Sequence, residues 1–254
     1  AVFSSNTSQK AYEEDVLLAG FGAAPTKNEG ASVSYDDAGQ QWTARYQHET
    51  VALAFSITEE AEEDGQYGSI ASRYTKALAR SMSSTKEIKA ANVLNNATSA
   101  NGGDGTTLLS TSHPTQNGNQ SNTLATAADL SETSLESILI QIADMKDERG
   151  LRVAAQGTQL IIPTAYTFVA ERLLESQLRT GTADNDINAI KSGGYLPKGY
   201  HVMRRLTDAD QFFVQTDVPD GLKYFTRSAM RKGMEGDFET GNIRYKCRER
   251  YSFG

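Results

Sequence analysis

The densest run of chemistry-bearing side chains is acidic: Glu59, Glu60, Glu62, Glu63 and Asp64 follow Thr58 within six residues. Carboxylates this close could hold a hard cation or divide acid and base roles in a hydrolysis. The same pattern suits a helix start, with Thr58 as N-cap and the acids at the positive end of the helix dipole, and that reading needs no ligand. His113-Pro114 lies in a polar stretch; catalysis there would require a nucleophile nearby, whereas a turn requires only the two residues themselves. Cys247 is the one cysteine. It reads as a small core side chain, and alone it excludes an intrachain disulfide or a multi-cysteine zinc site. His48, His113 and His201 lie far apart, without metal-ligand spacing. Neither the phosphate loop, G-x-S-x-G nor H-E-x-x-H occurs, and Gly20-Phe21-Gly22 continues as Ala-Ala-Pro, not as the dinucleotide fingerprint. No catalytic, metal-binding or cofactor-binding residue is expected.

Two basic features are harder to place on a solitary subunit. From Ile243 onward, one parity reads Ile243, Tyr245, Cys247, Glu249, Tyr251 and Phe253, and the other reads Arg244, Lys246, Arg248 and Arg250. On a strand, successive cations of that face stand ~6.6 Å apart and repel one another unless anions lie opposite. Water and counterions, acids of a neighbouring subunit such as Glu59–Asp64, and nucleic-acid phosphates are the three open partners. Arg73, Lys76 and Arg80 form a second patch at helical spacing.

The elements that must carry these groups follow from hydrophobic periodicity. Residues 1–32 are polar and read as an extended arm with few anchors. Val33 and Tyr35 lead into the turn cluster Asp36-Asp37-Ala38-Gly39, and a long return strand carries Trp42, Ala44 and Tyr46 on one face. Beyond Glu49 the apolar parity switches to Val51, Leu53, Phe55 and Ile57, so the strand leaves one environment for another. Its outer half, 30–47, reads as a ribbon projecting from the body that only something outside the subunit can cover. Tyr67, Ile70, Ala71, Tyr74, Leu78 and Met82, continued by Ile88, Ala91 and Leu94, predict a helix of about 28 residues and ~42 Å. The Asn/Gly/Ser/Thr-rich stretch 95–128 reads as loop with room for one short strand. Thr133 with Glu136 predicts a capping box opening a helix that ends at Gly150. A strand 151–155, a turn at Gly157, a buried strand 160–162, a helix 164–177, a loop 180–194, strands 200–205 and 211–216 joined by Thr207–Asp210, and strand 222–227 complete an α+β pattern.

Composition narrows the function classes. Of 254 residues, 38% are hydrophobic, the net charge is -7 and no apolar run is long enough to span a membrane. The core is thin, the acidic balance argues against a binder driven by bulk positive charge, and the opening AVFSSNTSQK lacks the form of a signal peptide.

The order of these elements resembles the major capsid protein of tailed bacteriophages, with the Hong Kong 97-type fold. Ile57-Thr58-Glu59-Glu60 leading to Arg73 through Met82 resembles the junction of extended loop and spine helix. Ser110-Thr111-Ser112-His113-Pro114 is similar to a segment in some branches of the family. Leu160-Ile161-Ile162-Pro163 before a helix resembles the axial domain's strand-Pro-helix step. Arg205-Leu206-Thr207-Asp208 with Gln211-Phe212-Phe213-Val214 resembles its later hairpin, and Arg248 through Gly254 resembles the last peripheral strand.

The resemblance implies an N-terminal arm at 1–32, an extended β-hairpin loop at 30–57, a discontinuous peripheral domain of 58–128 with 222–254 that contains the spine helix, and an inserted axial domain at 129–221. It implies no enzyme and no cofactor. The partners it implies are other copies in pentamers and hexamers, a portal, scaffold or decoration proteins, and packaged double-stranded DNA in weak non-specific contact, with no membrane. The place is the virion shell, assembled in the bacterial host cytoplasm. Expected inter-subunit contacts are Trp42, Arg45, Tyr46, Glu59, Glu60, Glu62, Glu63, Arg73, Lys76, Arg80, Arg244, Lys246, Arg248 and Arg250. Some relatives form a Lys–Asn isopeptide bond; Lys27 and Asn242 have the residue types but lie in no motif, so none is expected. Two other readings are an encapsulin-like compartment enclosing protein and a carboxylate-dependent hydrolase using Glu59, Glu60 or Asp64.

Overall fold

Strand β1 (Ser4–Thr7) and β2 (Tyr12–Ala19) precede β3 (Gly39–Gln47) and β4 (Glu49–Ile57). A short acidic helix, α1 (Glu59–Glu63), leads to the long α2 (Tyr67–Asn95). The hairpin β5 (His113–Thr115) and β6 (Gly118–Gln120) follows, then α3 (Glu132–Ala143) and β7 (Gly157–Ile162). After a 3-10 turn come α4 (Thr167–Glu175), α5 (Ala189–Ser192), β8 (Tyr200–Val202) and β9 (Phe213–Thr216), and lastly β10 (Lys223–Gly236) and β11 (Ile243–Phe253). This computed structural model describes residues 2–65, 67–179 and 186–254. The side chains of Tyr67 and Ile70, and positions 180–185 of the expected loop, lie outside the described residues.

The main sheet has the order β1-β10-β11-β4, antiparallel except for β1 beside β10. One face packs on α2, where Leu78 and Met82 meet Cys247, Val51 and Phe55. The alternation read in β11 holds: Cys247, Glu249 and Tyr251 are buried, while Arg244, Lys246 and Arg248 are exposed. The helix stripe holds at Leu78, Met82, Ala91 and Leu94, but Tyr74 and Ile88 are exposed.

Residues 2–19 are anchored, not a loose arm. Val2 is buried with Leu94 and Ile161, and β1 supplies hydrogen-bond partners to β10, which would otherwise present a bare sheet edge. The strand expected at Val33–Tyr35 does not form; β3 pairs instead with β2, from Tyr12 opposite Gln47 to Ala19 opposite Gly39. Local turn chemistry at 36–39 pointed to a short hairpin, but β2 alternates exposed and half-buried residues over eight positions, ending at buried Ala19, and outcompetes the three-residue run 33–35. The parity switch near Glu49 is real. His48 is the junction where the chain leaves the β2–β3 ribbon and joins the main sheet as β4.

A second core gathers Leu130, Leu135, Leu160, Ile162, Ala170, Leu173, Leu174, Ile190 and Leu196, all from one continuous stretch of chain. Its sheet runs β8-β7-β9, so β7 lies in the middle and the two later strands flank it, where sequence adjacency had implied a hairpin between them. β7 is buried along its whole length and takes the centre for that reason. The helix α3 opens two residues before the expected cap: Ser131 accepts from the Ser134 backbone N–H while Ser134 Oγ accepts from the Ser131 N–H. It ends at Ala143, and Asp147 accepts from the backbone N–H groups of Arg149 and Leu151 in the following turn, so no strand forms at 151–155.

Candidate assembly interface

Four sets of residues were expected to meet other subunits, and the structure uses them differently. In the ribbon, Trp42 packs against Gly103, where a Cβ would overlap the indole ring at Cε3 and Cζ3. The Tyr46 ring packs on Phe225, centroids 5.2 Å apart, and against Gly254. Burial, reinforced by Asp15, raises its phenol above the usual range. On the opposite, outward face of the ribbon Arg45 bonds Glu14 at 2.6 Å and stands over the Tyr12 ring. At the far end of the ribbon Arg149 bridges Asp36, whose carboxyl is held low by the Gly22 N–H and by that guanidinium. The inner face of the ribbon is therefore covered by its own subunit. Its other side is bare at Val16 and Leu18, the latter exposed by 71%, and in the connection between β2 and β3 Phe21, Val33 and Tyr35 are exposed as well, Tyr35 by 97%.

The acids of α1 are all solvent-facing, and Glu59, Glu60, Glu62, Glu63 and Asp64 make no ion pair among the described residues. Thr58 is the N-cap by position, without a side-chain cap bond. Glu59 packs over the turn at Gly241, a positive-φ glycine between β10 and β11. A broad cleft of about 1960 Å³ between ribbon, α2 and β9 contains none of these acids. Among the described residues no group of three or more His, Cys, Asp or Glu is placed to hold a metal ion.

The two cationic patches lie on opposite surfaces. Leu78 turns toward the sheet, and Lys76 and Arg80 sit about 160° around the helix from it, so the helix patch faces away from the sheet. The strand patch lies on the other side of that sheet. Arg244 pairs with Asp237, and Lys246 lies 3.9 Å from Glu235. Arg248 stands directly opposite Arg231, and Arg250 is paired with Ser228.

Three buried polar clusters fix the elements. Lys86 reaches across from α2 to Glu249 at 2.6 Å, with Glu249 only 1% exposed. Lys86 also stands over the rings of Tyr251 and Tyr224. Burial pulls the Lys86 ammonium down, but the bond to Glu249 and the nearby Tyr224 outweigh it and its pKa rises. Burial, with Glu249 beside it, pushes the Tyr251 phenol up to about 12. At the ribbon junction, buried His48 bonds Ser8 and Ser252. Ser8 Oγ donates to Glu13, so it accepts from His48 Nε2–H, and Nδ1 accepts from Ser252. Burial, then Arg250, then Arg227 lower the His48 pKa against the opposing pull of Glu13. At His113, Asp104 (2.7 Å) and Thr106 (3.0 Å) both crowd Nδ1, leaving Nε2 buried and unpartnered. A hydroxyl activated by histidine needs the nitrogen opposite the carboxylate, so this is a loop clasp and not a catalytic relay. Burial raises the Asp104 carboxyl, and the Thr106 and His113 bonds more than reverse that shift.

Set beside known proteins, the sequence matches the phage capsid protein family over residues 40–254. The chain belongs to that family. It is a structural protein of a tailed-phage capsid shell, and its mixed helix-and-strand architecture is of the Hong Kong 97 type. Solved structures agree on the fold. The bacteriophage JBD30 capsid superposes with a TM-score of 0.57 at 13% identity, over 72% of this chain and 84% of that one. A chain of Mycobacterium phage Adephagia gives 0.59 at 9%, over 99% and 81%, and one of Microbacterium phage Oxtober96 gives 0.56 at 11%, over 100% and 83%. No curated protein matches the chain. At such identities the side-chain sites of those capsids do not carry over, and this capsid protein's contacts must be read from its own residues. Sequence reasoning missed Lys86–Glu249. Its trace was an acid on the apolar parity of β11 and a lysine four residues beyond Met82 on the helix stripe.

Proposed function

We propose that this capsid protein closes, as pentamers and hexamers, into an icosahedral head that encloses phage double-stranded DNA, and that it performs no catalysis. One observation carries the reading: the subunit exposes 16283 Å². A compact monomer of its 27.6 kDa would expose roughly 11,000 Å². About half as much again is left for other copies to cover. The domain assignment proposed for it is an arm at 1–32, a loop at 30–57, a peripheral domain of 58–128 with 222–254, and an axial domain at 129–221. The self-contained core between Leu130 and Leu196 supports the last of these. Portal, scaffold or decoration proteins would meet this shell, with DNA in weak contact, in particles built in the bacterial cytoplasm.

The bare side of the ribbon, with the β2–β3 connection, is the surface most in need of a neighbour. Burying a large apolar side chain contributes about 1.5–3 kcal/mol, so Leu18, Phe21 and Tyr35 together are a substantial share of one contact. The variant L18S/F21S/Y35S is expected to fold, with an unchanged melting temperature, and to fail to form stable shells by sedimentation. Intact shells from it would refute the ribbon's role, and wild-type shells filled with protein in place of DNA would refute the cargo.

A further inference from the structure

Four arginines gather at one end of the outer sheet face, and none has a carboxylate partner among the described residues. Arg248 on β11 is directly opposite Arg231 on β10. Two positions along, Arg250 lies opposite Ser228, and the β-bulge at that point brings in Arg227. Like charges set opposite each other on a sheet destabilise it. The Nε atoms of Arg227 and Arg250 are sealed from solvent without a hydrogen-bond partner. By contrast, Arg244 and Lys246, nearer the other end of β11, have Asp237 and Glu235. The neighbouring strand is smooth beside the arginines: Thr50, Ala52 and Ala54 lie opposite Arg250, Arg248 and Lys246. Among the described residues nothing neutralises this patch, and nothing on β4 obstructs it.

The chain also carries the complementary feature. The five acids of Glu59–Asp64 are exposed and unpaired among the described residues, and they follow Ile57, which pairs with Ile243 at the opposite end of β11. Seven residues of strand, from Ile243 to Arg250, separate the ends by roughly 23 Å. The acids cannot fold back over that distance to reach their own arginines.

Resting on the shell reading, we infer that the Arg227/Arg231/Arg248/Arg250 patch receives the Glu59–Asp64 acids of an adjacent copy, joining subunits head to tail. Guanidinium forks bind carboxylates in paired hydrogen bonds, and a contact between two different patches of the same chain closes into rings when the rotation allows. The net charge of -7 disfavours the other candidate anion, DNA phosphate, at this surface.

A charge swap tests this. The variant R231E/R248E is expected to stay folded, since both side chains are exposed and one like-charge pair replaces another, and to need at least tenfold more protein for half-maximal shell assembly. R231Q/R248Q should show a smaller loss in the same direction. Adding E60K/E62K to R231E/R248E should restore assembly, and wild-type assembly should weaken with salt. Normal assembly of R231E/R248E with loss of retained DNA would overturn the contact in favour of phosphate, and failure of the fourfold swap to restore shells would overturn it outright. Wild-type subunits that never form shells would overturn the shell reading and this contact together; wild-type shells alongside an unaffected R231E/R248E would overturn this contact alone.

Discussion

His48 shows how much a single side chain holds at the point where the ribbon meets the body. Its two ring nitrogens tie Ser8, near the start of the chain, to Ser252, near its end. With Nε2–H donating to Ser8, the neutral ring accepts from Ser252 at Nδ1. Burial and the two nearby arginines hold its pKa below the usual histidine value. In the unfolded chain the ring protonates near pH 6.5, so below that value the unfolded form binds more protons and the folded form loses stability as pH falls further; above it the contribution is complete. Replacing the ring by His48→Gln is expected to lower stability at pH 7 by about 1–3 kcal/mol, through two strained or lost buried bonds. It should also flatten the part of the melting-temperature profile that falls below pH 6.5. Parallel profiles for the two proteins across that range would contradict the assignment. From the sequence, His48 was an isolated histidine without metal spacing; only the parity switch beside it marked the junction, and its partners lie 40 and 204 residues away.

At the scale of elements, the ribbon's attachment is the feature that local sequence could not give. The alternation of Trp42, Ala44 and Tyr46 identified a strand, but its partner, β2, lies on the far side of a 19-residue connection, and pairing over such a separation leaves no local trace. The long helix and β11 were legible because each has a strong period, 3.6 or 2, over many residues. The basic face of β11 was legible too, but Arg227 and Arg231 joined it only through the register of β10 and its bulges. The expected helix and strand around Gly150 shifted because the Ser131/Ser134 cap and the Asp147 turn, both local, outweighed the longer pattern. Docking of the ribbon has a direct probe, since Trp42 is the single tryptophan. A Cβ at Gly103 would overlap its ring. Gly103→Ala is expected to lift the indole off the loop, shifting its emission to the red and raising acrylamide quenching severalfold; unchanged fluorescence would show that the ribbon does not rest there.

For the molecule as a whole, the two cores are small, the sheet is open on its outer face, and the charges are separated into patches that the chain cannot neutralise by itself. Permanent assemblies bury 2,000–5,000 Å² or more per interface, and an excess of about 5,000 Å² over a compact monomer is the surface such contacts would consume. Stability of the isolated subunit and stability of the shell are therefore different quantities, the second depending on subunit concentration and salt. Electron microscopy of the purified protein over a concentration series at neutral pH tests the central claim most directly. Closed particles of uniform diameter, built from repeated copies and appearing above a threshold concentration, are predicted. A population of separate subunits at every concentration, with no closed particle, would contradict the account.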